Sequence, residues 1–268
     1  VHSSLNSQNQ FISQQMTTLA DQTSRLATSI AQYNDSIAIA SANGAQPNDL
    51  LDARDEAVRQ LSELIGISVV QQDDNTLNIF VGSGQPLVVG KEASTLAVRS
   101  GSADPGRVEV VLKSGNSVQD ITSLVSGGEL GGLLKYRNDV LDPALNAIGR
   151  LALSISSEFN SQQGQGLDLN GNAGAALFND VNSPELVDGR SYARATNSDP
   201  DAKLSVRISD TSQLSTSEYD VVFTSSTQFT VRRTSDDSVV GPFDLTSVPP
   251  TELDGFTIEL GGGGIAAG

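Results

Sequence analysis

The sequence predicts an α+β protein: a long-helix rod domain bearing a small β insertion, followed by a mainly antiparallel β domain of sandwich or barrel type. Three observations carry this reading. Two apolar stripes of helical period lie at Ile12–Ala40 and Leu130–Phe159, a stretch of period-two alternation separates them, and short β-like runs spaced by turn residues occupy the chain beyond residue 200.

The first stripe is Ile12, Met16, Leu19, Thr23, Leu26, Ile30, Tyr33, Ile37 and Ala40, an alternation of four- and three-residue steps that marks the seam of a long helix. A helix over 6–42 would be a rod of roughly 40 Å or more. Asn43 and Gly44 supply its stop. A second helix over 49–65 follows, with Asn48 or Asp49 as its N-cap, acidic residues in its first turns and Gly66 closing it.

At Gly66 the period drops to two. Ile67, Val69, Leu77, Ile79 and Val81 alternate with polar residues around the turn Asp73-Asp74-Asn75, which predicts a hairpin; Leu87–Val89, Leu96–Arg99 and Val108–Leu112 add strands to a small sheet within 67–126. The helical pattern returns at Gly127-Gly128 and runs over 129–162 as Leu134, Leu141, Leu145, Ile148, Ala152, Ile155 and Phe159. This second stripe is expected to cover the first along its length. Pro143 removes a backbone donor inside it, so the rod is expected to continue with a kink. Gly, Asn, Gln and Ala between Ser161 and Asn182 predict a loop. Strands are then expected at Lys203–Ile208, Tyr219–Phe223, Phe229–Arg233, Val239–Phe243 and Phe256–Leu260. The domain division is therefore 1–180 for the rod with its insertion and 181–268 for the outer β domain. The ends read as cuts in a longer protein, with the outer domain short of a closing piece.

Formal net charge is −16, from 32 acidic against 16 basic residues. Such a surface repels phosphate backbones and anionic lipid, and no Lys/Arg cluster exceeds Arg232-Arg233, so neither nucleic acid nor membrane is an expected partner. The chain has no Cys and no Trp, which excludes disulfides and thiolate metal sites and weighs against aromatic ligand-stacking platforms.

Catalytic chemistry has little to stand on. His2 is the single histidine, so Ser–His and Cys–His nucleophile systems lack a base. Asp52 with Asp55, and Asp73 with Asp74, could be paired carboxylates, but a helix's opening turns and a hairpin turn favour Asp for backbone reasons. Asp168, Asn170 and Asn172 imitate the start of a calcium loop; Ala173 stands where its sharp turn needs Gly and Asn179 where its bidentate Glu belongs, so an Asx-bonded turn is the reading and no metal or cofactor is expected.

Four runs carry a resemblance. Pro47–Val70 (PNDLLDARDEAVRQLSELIGISVV), Asn78–Gly90 (NIFVGSGQPLVVG), Gly127–Asn160 (GGELGGLLKYRNDVLDPALNAIGRLALSISSEFN) and Gly166–Phe178 (GLDLNGNAGAALF) are similar to the hook-associated protein 1 family of bacterial flagella, the first hook–filament junction proteins. Phe256–Gly268 fits the outer domain of that family more loosely. The resemblance implies a secreted, extracellular structural subunit without enzymatic activity, a mechanical adaptor assembled into a helical tube. Its implied partners are copies of itself, the hook protein and the second junction protein. Without the family's terminal segments, this stretch alone is expected to be monomeric and helical in dilute solution. Alternative readings are a sibling axial protein (second junction protein or flagellin) and a secreted adhesin or carbohydrate-binding β protein.

Overall fold

The computed structural model describes residues 1–44, 46–101, 104, 106–194, 197–199 and 201–266. Ser102, Ala103 and Pro105 of the expected β insertion, and Ala267 and Gly268 at the end of the expected outer domain, lie outside the described residues. Two compact units divide between Leu141 and Asp142.

The first unit is organised on α1, His2–Ala42, a helix of 41 residues. Its stop is as the sequence reads: Gly44 takes φ +76 and its N–H donates to Ser41 O, a left-handed turn that a glycine enters without a Cβ clash. The buried stripe is Ile12, Met16, Leu19, Ala20, Thr23, Ala27, Ile30, Ala31, Asn34 and Ile37. Leu26, Tyr33 and Ala40, expected inside, are half-buried instead. The seam rotates toward Ala27, Ala31 and Asn34 because small side chains let neighbouring backbones approach, and α1 has neighbours on two flanks. These are α2, Asn48–Leu64, and β strands of the insertion. The N-cap of α2 is Pro47 with no side-chain cap, so Asn48 and Asp49 sit inside the first turn rather than before it. Asp49 there still favours the helix dipole.

The insertion holds two antiparallel sheets where the sequence suggests one. β1 (Ile67–Gln71), β2 (Leu77–Val81), β3 (Gln85–Val89) and β4 (Glu92–Ala93) pair in chain order; β5 (Thr95–Ser100), β6 (Val108–Ser114) and β7 (Ser117–Asp120) form the other. Alternation places Leu77, Ile79 and Val81 of β2 inward. Four side chains stitch these sheets to helices through backbone groups. Asn34 bonds Leu77 and Gly90, Ser24 bonds Leu96, Arg54 donates to Asn75 O at 2.6 Å, and Arg137 donates to Val108 O at 2.8 Å.

The second helical run is α3 (Gly128–Tyr136), a π-helical turn (Arg137–Leu141) and α4 (Asp142–Gln165). The helix thus continues through Pro143, and the wider π turn immediately before it accommodates a residue that cannot donate to the preceding turn. Of the second stripe, Leu130, Leu134 and Leu141 are buried in the first unit, whereas α4 has no buried residue. Within the first unit, the part of the second stripe in α3 and the π-helical turn packs against α1. α2 and the sheets of the insertion share the flanks of α1 with them.

In the second unit, α4 is followed by the short helix α5 (Pro184–Asp188) and six strands: β8 (Lys203–Ile208), β9 (Tyr219–Phe223), β10 (Gln228–Arg233), β11 (Val239–Asp244), β12 (Glu252–Leu253) and β13 (Phe256–Gly262). The five expected strands are all present. They make two three-stranded sheets, β11-β10-β9 and β12-β13-β8, and Phe229, Val231, Phe256 and Ile258 from both form one core. Inward residues alternate along β10 and β13, as a sandwich requires.

A polar latch closes one end of this core. Asp254 accepts a hydrogen bond from Tyr219 Oη at 2.6 Å and another from Arg233 Nη2 at 2.6 Å, and Asp236 lies 3.2 Å from Arg233 Nη1. Burial alone would raise the Asp254 pKa, but the hydrogen bonds from Tyr219 and Arg233 and the guanidinium charge outweigh it and hold it below the usual 3.8. A depressed carboxylate stabilises the fold above its unfolded pKa, and that contribution is lost as pH falls through the folded value. Thermal unfolding of the β unit should therefore drop in midpoint as pH goes below about 4. Asp254→Asn should lower the midpoint at pH 7 and flatten that acid dependence; an unchanged acid profile would count against the latch.

Candidate assembly surface

Of the carboxylates singled out by sequence, Asp55 and Asp74 have local partners. Asp52 and Asp55 are exposed on α2, with Asp55 Oδ1 3.5 Å from Arg54 Nη2. Asp73 and Asp74 occupy the β1–β2 turn, where Asp74 Oδ1 accepts from the N–H and the hydroxyl of Thr76. Those bonds lower the Asp74 pKa, the hydroxyl contributing most. His2 lies 3.4 Å from Asn6 Nδ2 at the start of α1.

The same two-bond device recurs. Asp120 with Thr122, Asp210 with Ser212, Asp236 with Ser238 and Asp244 with Thr246 each pair one carboxylate oxygen with the N–H and hydroxyl two residues on. Part of the acidic balance is thus turn chemistry. A doubly hydrogen-bonded carboxylate favours its ionised form, as the lowered pKa values of Asp210, Asp236 and Asp244 reflect.

Asp168, Asn170 and Asn172 come together in one loop. Asp168 Oδ1 accepts from the N–H groups of Asn170 and Asn172, both at 2.8 Å, and Oδ2 accepts from Asn172 Nδ2 at 3.1 Å. Leu167 bridges Ala173 across the loop, which Gly171 closes at φ +82. The carboxylate faces its own loop's donors, and these hold its pKa low, the Asn172 N–H foremost. An Asx-bonded turn accounts for all three residues. Among the described residues no group of three His, Cys, Asp or Glu side chains could hold a metal ion, and no helix is long and apolar enough to cross a membrane.

What the structure presents instead is apolar surface on the second unit. Leu151, Ile155 and Phe159 follow at four-residue steps on α4 and are 60%, 44% and 55% exposed. Asn160 fixes the returning chain beside them. Its Nδ2 donates to Phe178 O, and its Oδ1 accepts from the N–H groups of Leu177 and Phe178. Ser156 Oγ donates to Asn179 O. The result is an edge-to-face contact between Phe159 and Phe178, ring centroids 6.1 Å apart, with Leu177 exposed alongside. An open groove adjoins it, bounded by Gly149, Ala152, Ile155, Phe178, Val181 and Leu186. Arg190 forms its polar end, donating to Val206 O, Asn182 Oδ1 and Val181 O, and burial lowers its pKa. Contiguous apolar patches of this kind mark contact surfaces. Of this stripe the sequence pattern contains Ile155 and Phe159, as members of an expected buried seam, and not Leu151. Leu177 and Phe178 were not assigned to it, since their placement depends on the Asn160 bonds.

A family model described as the helical domain of flagellar hook-associated protein FlgK matches residues 1–178, and one described as a D2-like domain of flagellar hook-associated protein 1 matches 192–267. Flagellar hook-associated protein 1 of Salmonella typhimurium is 34% identical over 248 residues, 90% of this chain and 43% of the relative. The Escherichia coli protein of that name is 32% identical over 255 residues, 89% of this chain and 45% of the relative. The solved structure of the flagellar hook junction protein FlgK from Burkholderia pseudomallei superposes with a TM-score of 0.83 at 34% identity, covering 99% of this chain and 47% of that one. The chain spans less than half the length of these relatives. The helical first unit, the family match over 1–178 and the match of the β region together place this chain in the flagellar hook-associated protein 1 family.

Proposed function

We propose that this chain is the central part of a structural subunit at the junction between flagellar hook and filament, working as a mechanical adaptor and not as an enzyme. The observation that carries the reading is the family match across both regions. Residues 1–180 form the rod domain with its β insertion, and 181–268 the outer β domain. Its partners are further copies of itself in a helical tube, the hook protein and the second junction protein, at an extracellular site reached through flagellar export. A rigid subunit making repeated heterologous contacts that do not close yields such a tube.

The test is deletion of the gene, with electron microscopy of the cells and assay of flagellin in the medium. Bare hooks with unpolymerised flagellin outside the cells are expected. Filaments of normal number and length would contradict the reading. The 268-residue chain by itself is expected to sediment as a monomer, because its net charge of −16 opposes close approach of copies; stable rings or fibres would contradict that.

A further inference from the structure

Among the buried residues of α1, Thr23 and Asn34 are polar, and Asn34 is the one that bonds the neighbouring sheet. Asn34 is fully buried, and its amide treats Leu77 as a neighbouring strand would: Oδ1 accepts the Leu77 N–H at 3.0 Å while Nδ2 donates to Leu77 O at 2.8 Å. Nδ2 also donates to Gly90 O at 2.7 Å. Ten residues earlier, Ser24 Oγ accepts the Leu96 N–H at 2.9 Å, and its single hydroxyl proton faces both Leu96 O and Ala20 O, each at 2.9 Å. Leu77 opens β2 and Leu96 lies in β5, so the two contacts reach different sheets.

We propose that Asn34 and Ser24 are register pins that fix α1 against sliding and rolling on the β insertion. Apolar packing alone does not fix it. The seam repeats every three or four residues, so a shift of one turn, about 5.4 Å, again presents apolar side chains to the sheets. The Asn34 pin does not repeat, and the Ser24 pin repeats only at Thr28, in a register that puts Ala38 where Asn34 stands. In registers shifted by three or four residues, Ile30, Ala31, Ile37 or Ala38 would face Leu77 and Gly90, and none can bond their backbone groups. Ala20, Asp21, Ala27 or Thr28 would take the place of Ser24. Each slip therefore leaves buried donors and acceptors without partners, a cost that packing of similar residues does not recover.

Their spacing makes the pair effective. Ten residues separate them by about 15 Å along the helix and, at about 100° per residue, by about 80° around it. One pin alone would permit pivoting; two on different faces remove both translation and roll. A single polar residue setting register in an apolar seam is the best-attested use of such groups in coiled coils.

The chain has no cysteine, so spin labels can be placed cleanly at Gln32→Cys on α1 and Ser83→Cys in the β2–β3 turn, both exposed. Electron–electron distance measurement on the otherwise unaltered chain should give one narrow distribution. With Asn34→Leu added, a second population displaced by about 5 Å is expected. A folded Asn34→Leu chain with the single unaltered distance would overturn the assignment. If Asn34→Leu gives no folded chain, Ser24→Ala retains one pin. It should then broaden the distribution about its original centre and speed amide exchange at Leu96 at least tenfold; no change in either would equally overturn it. The pins lie wholly inside the first unit, so these outcomes bear on them without touching the junction reading.

Discussion

Gly66→Ala and Gly128→Ala should each cost about 3 kcal/mol or more, at the upper end of overpacking effects, or yield no soluble folded chain. A Cβ on Gly66 would stand 1.9 Å from Ser126 O and 3.0 Å from its carbonyl carbon. A Cβ on Gly128 would stand 2.4 Å from Ile65 N, 2.6 Å from Leu64 C and 2.7 Å from Ile65 Cα, and Gly128 also has φ +62. Every one of these neighbours is backbone, so no side chain can swing away. The end of α2 and the entry to α3 cross here at a separation that only hydrogen at Cα permits. Two other glycines serve as controls. Gly132 and Gly149 lie inside α3 and α4 with nothing within 4 Å of an added Cβ. Their replacement by Ala should stabilise by up to about 1 kcal/mol, the difference in helix propensity. Urea unfolding of the four variants decides it: equal effects at all four sites would remove the crossing from the account.

The second large effect is at Asn34. Asn34→Ala leaves the Leu77 N–H, Leu77 O and Gly90 O without the partner they have now, two of these bonds lying in fully buried surroundings. At about 1–3 kcal/mol for each buried group left unsatisfied, a loss of about 3–5 kcal/mol is expected, allowing for partial relaxation. For a unit of this size that lowers the unfolding midpoint by about 10 °C. Asn34→Asp separates hydrogen bonding from shape. An ionised carboxylate can accept from Leu77 N–H but would face two carbonyl oxygens, so it is favoured only when protonated, and the folded pKa is raised. Its stability should therefore improve as pH falls through that raised value toward the unfolded pKa, opposite in sign to the Asp254 latch. A loss below about 1 kcal/mol for Asn34→Ala would show that the amide is replaceable by solvent.

How much of this was legible follows from which force sets each feature. The helices, the five longer outer strands and the change of period at Gly66 were readable because local burial periodicity determines them. The division of the insertion into two sheets was not, since pairing across sheets has no local signature. Gly66, Gly127 and Gly128 read as punctuation, and their crossing is invisible in sequence because it joins segments about sixty residues apart. Asn34 was passed over for Tyr33 in the seam, as hydrophobicity ranks them in that order while the sheet requires an amide. Two further signals stand in the sequence. Asp254-Gly255 between Leu253 and Phe256 is the residue pair of a two-residue hairpin, and both take positive φ, +46 and +78, in the β12–β13 turn. The repeated Asp-x-Ser/Thr triplets likewise announce turns in which a carboxylate oxygen is hydrogen-bonded locally, Asp74 among them. For the candidate surface, the stripe on α4 was visible as Ile155 and Phe159; that it stands exposed depends on what packs against it, which periodicity does not encode.

The most direct measurement of the central claim is immunogold electron microscopy of intact flagella, using antibodies raised against this 268-residue chain. Gold confined to the boundary between hook and filament is the predicted result. Gold distributed along the filament, or on the cell surface away from flagella, would contradict it.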